Sequence, residues 1–201
     1  MLTLSNEDRD VIARLLQPGV GVLQGTKGKR LAQDKGIILV ACSDGDQFHD
    51  LYCHKVTLQA RHREDPRIHP LVLHGLPCRL AYRSPANDPD DMVDEVFLKC
   101  IRGALSRKHF ETVALCAHVP CMHATDYGLG VLDQLRLMVA GKIRIADYCR
   151  PAEPTIACFL HVDYGEERAK ENRRKTYFVN REALRRFTDA MLPPISDLNL
   201  A

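Results

Sequence analysis

The sequence predicts a single α/β domain in three layers, with helices on both faces of a mainly parallel central sheet. Two short apolar runs carry this prediction, "GIILVAC" (36–42) and "TVALCA" (112–117). Their apolar residues are continuous rather than alternating, which is typical of strands covered on both faces. Helical patterns lie between the runs, as parallel strands require. The length of 201 residues fits one domain spanning 1–201.

The N-terminal part begins with an amphipathic helix. Ser5 is the predicted N-cap, and Pro18 and Gly19 end the pattern. The glycines of 18–30 match no phosphate-binding spacing, so this stretch is predicted to be a turn-rich connection. We expect residues 1–35 to form a helix and a connecting arm. After the first strand, "PLVLHG" (70–75) is predicted to be a second strand.

The C-terminal half predicts two further helices and two strands before the last helix. The segment 87–108 has Asp88 as a candidate cap, with an apolar stripe through Val96, Cys100 and Ile101. The segment 127–141 is predicted to be a helix with Gly141 as its C-cap. Runs at 155–162 and 176–179 predict strands, and Asn180 is a candidate cap for the final helix. These assignments are all drawn from local pattern.

Charge and composition exclude several classes of partner. The chain carries 28 basic and 26 acidic residues, a net charge of +2, so it has no general attraction to nucleic acid or to an anionic membrane. Its longest uncharged apolar run is far below the ~20 residues of a membrane span. The first segment does not resemble a secretory leader, and the chain has eight cysteines at irregular spacing. Together these observations predict a reducing, cytoplasmic location.

Three residues form a candidate metal site. Cys42 ends the first predicted strand, His118 follows the third, and Cys121 comes three residues later. Ligands of open α/β sheets bind beyond the carboxyl ends of the strands, where these side chains are expected to converge. Two thiolates and one imidazole with an open fourth position are a known catalytic zinc arrangement. The sequence therefore predicts Zn²⁺ as the cofactor, with Cys42, His118 and Cys121 as its ligands.

Other cysteine and histidine groups have different expected roles. Cys116 is predicted to pack in the core. His123 is either a partner of the metal ligands or a surface histidine, and the surface position is the favoured interpretation. The "YCHK" segment (52–55) is expected to be structural or exposed, and "HGLPC" (74–78) is a weaker candidate for lining the cleft. A cysteine-nucleophile hydrolase using Cys42 and His118 is a further, less favoured interpretation, which predicts activity without metal.

These motifs resemble those of the β-class carbonic anhydrases. "CSD" ends a first strand, a helix and a strand follow, and "H-x-x-C" comes after the next strand, so the resemblance covers about residues 36–141. Limiting-CO₂-inducible proteins of algae, which share that architecture, are a further related group. The resemblance implies a β-carbonic-anhydrase-like fold and zinc bound by Cys42, His118 and Cys121. It also implies that Asp44 is the catalytic aspartate beside the metal.

The chain departs from the family pattern at one important position. The family has Cys-x-Asp-x-Arg, and its arginine holds the aspartate off the zinc. Here "CSDGD" places Asp46 at the arginine position. Asp44 is then expected to be free to move onto the metal, unless another cation replaces the arginine. Arg79, Arg83 and Arg144 are the candidate replacements.

The resemblance implies hydration of CO₂ or of a similar small electrophile, with CO₂, bicarbonate or an analogue as the small-molecule partner. The alternative is a zinc-binding family member without activity, in a binding or regulatory role. The altered pair Asp44 and Asp46 favours the alternative, and the complete ligand set favours the enzyme. The family also assembles through sheets and N-terminal helices, so a homodimer or larger even oligomer is expected.

Overall fold

A six-stranded, mostly parallel sheet forms the centre of the molecule. The computed structural model describes residues 2–26, 35–60, 65–88, 90–166 and 173–191. The strands lie in the order β1-β6-β5-β4-β2-β3. Strands β3, β2, β4 and β5 are parallel, whereas β6 and β1 are antiparallel to their neighbours. The strand bounds are β1 (Leu23–Gly25), β2 (Ile37–Ala41), β3 (Ile68–Val72), β4 (Thr112–Val119), β5 (Thr155–Asp163) and β6 (Arg174–Val179).

Helices cover both faces of this sheet, which confirms the predicted three-layer α/β/α class. Buried residues of α1, α3, α5 and α6 pack on one face, and α2 packs on the other. None of the helices in the described ranges is long and apolar enough to cross a bilayer. The helices are α1 (Asn6–Leu15), α2 (Gly45–Ala60), α3 (Val93–Lys108), α4 (Met122–Asp126), α5 (Val131–Tyr148) and α6 (Arg181–Met191), with a 3₁₀ turn at Cys78–Leu80.

The continuous apolar runs are explained by this double cover. Every residue of β2 and of β4 is buried. Ile38 and Val40 point to the four-helix face, whereas Ile37 and Leu39 point to α2. Cys116 is fully buried, as predicted. The central strands therefore have no polar face, and the residues that can bind a metal come at their carboxyl ends.

The predicted N-caps Ser5 and Asn180 are confirmed. Ser5 accepts a hydrogen bond from the Asp8 backbone N–H (3.0 Å), and Asn180 Oδ1 accepts one from that of Ala183 (3.1 Å). The predicted Asp88 cap of α3 is wrong, because the helix begins at Val93.

The predicted apolar stripe of α3 is only partly confirmed. Ile101 is buried as predicted, but Val96 is 52% exposed and Cys100 is exposed. The other buried residues of the helix are Leu98, Ala104 and Leu105. Asp91 accounts for the later start of the helix: it forms an ion pair with the buried Arg79 and accepts a hydrogen bond from the Val93 N–H (3.1 Å).

Two glycine-based predictions also differ from the structure. Gly141 lies inside α5, which continues to Tyr148. A Cβ at Gly141 would come 3.1 Å from the Cβ of Leu80, so this glycine allows close packing against the 3₁₀ turn rather than ending the helix. The connection at 18–30 contains the short strand β1, which pairs with β6, and residues 27–34 lie outside the described ranges.

Lys55 is a fully buried lysine between α2 and the sheet. Its Nζ lies 3.1 Å from the centroid of the Phe159 ring and has no hydrogen-bond partner among the described residues. Burial lowers the pKa of Lys55 to about 8, against a small opposing effect of Cys116. Below that pH the folded chain holds a buried ammonium group that water no longer solvates.

Lys55→Met is therefore expected to raise the free energy of unfolding at pH 7 by up to about 3 kcal/mol, the value of a pKa displacement of this size. Between about pH 8 and 10.5 the unfolded chain binds more protons at Lys55 than the folded chain, so wild-type stability rises with pH there. The gain from Lys55→Met should shrink across that window. Urea unfolding at pH 7 and pH 10 measures both effects.

Lys142→Met is the matched control, because the Lys142 Nζ donates a hydrogen bond to the Ile156 carbonyl (2.6 Å). It should lose stability at both pH values. Equal stability of wild type and Lys55→Met at pH 7 would contradict a charged, unsatisfied Lys55.

Candidate metal centre

Cys42, His118 and Cys121 converge at the carboxyl edge of the sheet. One ligand atom from each lies within 4.8 Å of the other two, and all three residues are buried. Cys42 directly follows β2, and Cys121 directly precedes α4. His118 lies within β4, which extends two residues beyond the predicted strand. Because β2 and β4 are adjacent and parallel, their ends bring the two motifs together.

The chemistry of these side chains fits a metal ion. Both ring nitrogens of His118 are buried, and neither has a hydrogen-bond partner in the described part of the chain. Buried polar atoms normally have a hydrogen-bond partner, so an imidazole without one, beside two thiols, is suited to coordinate a metal ion. Sulfur and imidazole donors favour a soft or borderline cation over magnesium or calcium. The buried Cys-His-Cys group is thus a candidate metal site.

The two thiols of the group differ in acidity. The Cys121 thiol donates to Cys42, and this contact, together with the neighbouring His118 and the Gly75 N–H, lowers the pKa of Cys42 to about 3 in spite of burial. The pKa of Cys121 is raised, because it is the donor to Cys42 and is itself buried. The thiolate form of Cys42 is therefore favoured at neutral pH, whereas a metal must displace a proton from Cys121.

His161 on β5 was not singled out from the sequence, although it is the histidine of "TIACFLHV". It is the register partner of His118, and its Nδ1 lies 2.9 Å from Thr176 Oγ1. Burial, reinforced by His118, lowers the pKa of His161 to about 4. His161 is therefore neutral at physiological pH and adds no positive charge beside a bound cation.

The segment at 74–78 lines the site. The Gly75 N–H donates a hydrogen bond to Cys42 Sγ (3.4 Å). Gly75 has a φ of +76°, and a Cβ there would lie 2.0 Å from Cδ2 of His123. The Nε2 of His123 in turn lies 3.2 Å from the Ala86 carbonyl oxygen. His123 is thus half-buried in the wall of the site, and its predicted surface position is wrong.

Gly75→Ala is expected to destabilise the fold by about 2 kcal/mol or more, since it combines a positive φ with a steric clash. Gly103→Ala is the control. Gly103 lies within α3, and a Cβ there would meet no described atom within 4 Å, so alanine should stabilise by about 0.5–1 kcal/mol. Urea unfolding of both variants tests the difference, and equal effects would contradict the steric argument.

Asp44 is the N-cap residue of α2. Its Oδ1 accepts hydrogen bonds from the backbone N–H groups of Asp46 (2.9 Å) and Gln47 (3.3 Å). Its carbonyl oxygen accepts from the Phe48 N–H (2.8 Å). Asp44 is not a member of the three-residue metal group. The expectation that Asp44 is free to move therefore needs correction, because the helix amides hold its carboxylate.

The three arginines considered as replacement cations are engaged elsewhere. Arg79 binds Asn87 and Asp91, and Arg144 binds Asp94 and Glu95. The guanidinium of Arg83 lies over the Tyr82 ring. Across the described ranges, Asp44 forms no ion pair. The positive end of a helix dipole occupies the place where an arginine was expected.

A cleft of about 530 Å³ lies next to the metal group. Its lining includes Cys42 and Cys121 of that group, together with Asp44, Asp46 and His74. The size suits a small molecule. A larger cavity of about 770 Å³ lies by the N-terminus of α1 and includes none of the three metal-group residues.

The remaining candidates stay outside the site. Cys53 is exposed on α2, with its Sγ 3.6 Å from His49 Nε2, in agreement with a structural or surface role. Gln47 was missed from the sequence, although it is buried and forms hydrogen bonds to Asp44 and to the Pro120 carbonyl, on the two segments that carry the metal group. The signal was available: Asp44 and Gln47 have the spacing of a capping box, three residues apart.

No protein-family model and no curated protein matches this sequence. Solved structures of similar fold include the wild-type β-carbonic anhydrase CafD of Aspergillus fumigatus, with a TM-score of 0.42 and 12% identity over 79% of this chain and 99% of that one. A single-residue mutant of CafD gives a TM-score of 0.45, with 12% identity over 79% and 98%. Carbonic anhydrase from Streptococcus mutans gives 0.41, with 10% identity over 89% and 100%. Since these TM-scores are below 0.5, the functional proposal rests on the residues of the chain itself.

Proposed function

We propose that the protein is a zinc-dependent hydratase of CO₂ or of a similar small electrophile. The observation that carries the proposal is the buried group of Cys42, His118 and Cys121, whose two cysteines line a cleft that the Asp44 carboxylate also lines. Three protein ligands with a fourth position open to solvent characterise catalytic zinc, whereas structural zinc has four protein ligands.

In this proposal Cys42, His118 and Cys121 hold the ion. Zinc lowers the pKa of bound water from about 15.7 to about 7 and so supplies a nucleophile at neutral pH. The chain contributes the buried thiolate and imidazole ligands and a cleft that admits water and a small substrate.

We assign to Asp44 the role of proton acceptor. Its Oδ1 is occupied by two backbone N–H groups, and within the described structure its Oδ2 has no hydrogen bond. Oδ2 is then the atom that accepts the proton lost by water when water adds to the carbon of CO₂. The helix amides fix the orientation of the carboxylate, which reduces its tendency to become a fourth ligand.

The alternative is a zinc-binding protein without hydratase activity. Asp46 favours it, because its exposed carboxylate lines the same cleft and stands where the resembled family has an arginine. We also propose a cytoplasmic location.

Metal analysis together with stopped-flow CO₂ hydration tests the proposed function. The purified chain should contain about one zinc, lose hydration activity on chelation and regain it with zinc alone. Zinc without hydration would favour the alternative. Absence of bound metal, with no metal taken up from solution, would contradict both.

We further propose that the chain is one domain that assembles into a homodimer or larger even oligomer. On the α2 face of the sheet, Phe48, Tyr52 and Phe178 are only partly buried. Light scattering at micromolar concentration should give at least twice the 22.7 kDa chain mass. A monomer at that concentration would contradict the assembly.

A further inference from the structure

Gln47 forms hydrogen bonds to both of the chain segments that carry the metal group. Its backbone N–H donates to Asp44 Oδ1 (3.3 Å), two residues beyond Cys42. Its side-chain Nε2 donates to the carbonyl oxygen of Pro120 (2.8 Å), which lies between His118 and Cys121. The side chain is 6% exposed, so this hydrogen bond is shielded from water. One residue therefore joins the segment after β2 to the loop after β4.

Such a link matters because the pairing of β2 with β4 stops short of these segments. The last pairing between β2 and β4 joins Ala41 to Cys116. Cys42 and Cys121 lie beyond that point, so no β2–β4 pairing fixes the distance between them. Metal ligands must keep their separation to within a few tenths of an ångström. A buried hydrogen bond across the gap supplies that constraint.

The orientation of the amide follows from its partner. A carbonyl oxygen accepts only, so the NH₂ group of Gln47 must face Pro120. Its Oε1 is then buried without a hydrogen-bond partner in the described part of the chain. An apolar side chain of equal length would avoid this unsatisfied oxygen, but would leave the Pro120 carbonyl unpaired. The donor N–H is the feature that only the amide provides.

We propose that Gln47 is a positioning residue, which sets the geometry of Cys42 relative to His118 and Cys121 through its bond to Pro120. This inference rests on the proposed zinc site, although not on turnover. Replacing a residue that orients metal ligands from outside the coordination sphere typically weakens metal affinity about 10–100-fold. We expect an effect of this order for Gln47.

The matched control is Gln59 on the same helix. Gln59 is also fully buried, and its Nε2 donates to a backbone carbonyl, that of Arg67 (3.3 Å). Its Oε1 accepts from the Arg67 N–H (2.7 Å). It lies near the opposite end of α2, away from the metal centre. Gln59→Met removes two buried side-chain hydrogen bonds, against the one that Gln47→Met removes, so it is a demanding control that leaves the ligands unaffected.

The experiment compares Gln47→Met with Gln59→Met by chelator competition for zinc and by the absorption spectrum of the cobalt(II)-loaded chain. Gln47→Met should bind zinc at least about 10-fold more weakly and shift the thiolate–cobalt bands, and Gln59→Met should leave both unchanged. If Gln47→Met does not fold, Gln47→Glu has the same shape without the N–H donor and should show the same two changes. Wild-type affinity and spectrum in the folded Gln47 variant would overturn the inference alone. A wild-type chain that binds no zinc would overturn the inference and the proposed function together.

Discussion

Cys42→Ser is expected to lower bound zinc from about one ion per chain to nearly none, and to abolish CO₂ hydration with it. Cys42 is the thiol that is most easily ionised, with a pKa lowered to about 3, and serine provides no comparable anion at neutral pH. His118→Ala and Cys121→Ser should have the same result. Zinc content by plasma mass spectrometry after gel filtration measures all three variants.

Two other cysteines serve as controls for this prediction. Cys53 is exposed on α2, and Cys78 is buried with its Sγ 3.6 Å from the Gln134 carbonyl oxygen. Burial raises the pKa of Cys78 to about 12, so it remains a thiol. Cys53→Ser and Cys78→Ser should each retain zinc. Retention of zinc by folded Cys42→Ser would exclude Cys42 as a ligand.

The convergence of the three candidate ligands could be predicted from the sequence because it depends on strand order and strand ends alone. Apolar runs identified β2 and β4, and parallel strands place Cys42 and His118 at the same edge. Neither step requires knowledge of side-chain packing. The same holds for the caps Ser5 and Asn180, which act on their own helices.

The features that were missed depend on contacts distant in sequence. Helix α3 starts late because Asp91 is bound by Arg79, which periodicity within 87–108 does not reveal. Glycine is the residue type typical of a C-cap, yet Gly141 packs closely against Leu80, which comes from another part of the chain. Local pattern cannot distinguish these roles.

The expectation of a replacement arginine failed for a related reason. From the sequence, the candidates to hold the Asp44 carboxylate were cationic side chains such as those of Arg79 and Arg144. The groups that hold Asp44 are instead the backbone N–H groups of Asp46 and Gln47. Every residue except proline carries such a donor, so its role depends on where a helix begins rather than on residue type. The side chain of Asp46 is thus less important than its main chain.

Asp44→Asn is expected to retain the fold and the zinc, and to lose hydration activity by about 10²- to 10⁴-fold, the usual contribution of a positioned proton acceptor. Asparagine caps helices as well as aspartate does, so its oxygen should still accept from the Asp46 and Gln47 N–H groups. What it loses is the negative charge and the ability to take up a proton. Asp44→Ala should lose the cap as well, which costs about 1 kcal/mol of stability.

The measurements are zinc content, melting temperature and stopped-flow hydration for Asp44→Asn, Asp44→Ala and Asp46→Asn. Asp46→Asn is the matched control. It removes the charge of an exposed side chain two residues after Asp44, and it keeps the backbone N–H that donates to Asp44. It should leave hydration within a few-fold of wild type, because exposed charges are well screened. Full activity in Asp44→Asn would reduce Asp44 to a helix cap. Equal losses in the Asp44 and Asp46 variants would mean that the charge of the cleft matters rather than a proton acceptor at Asp44 Oδ2.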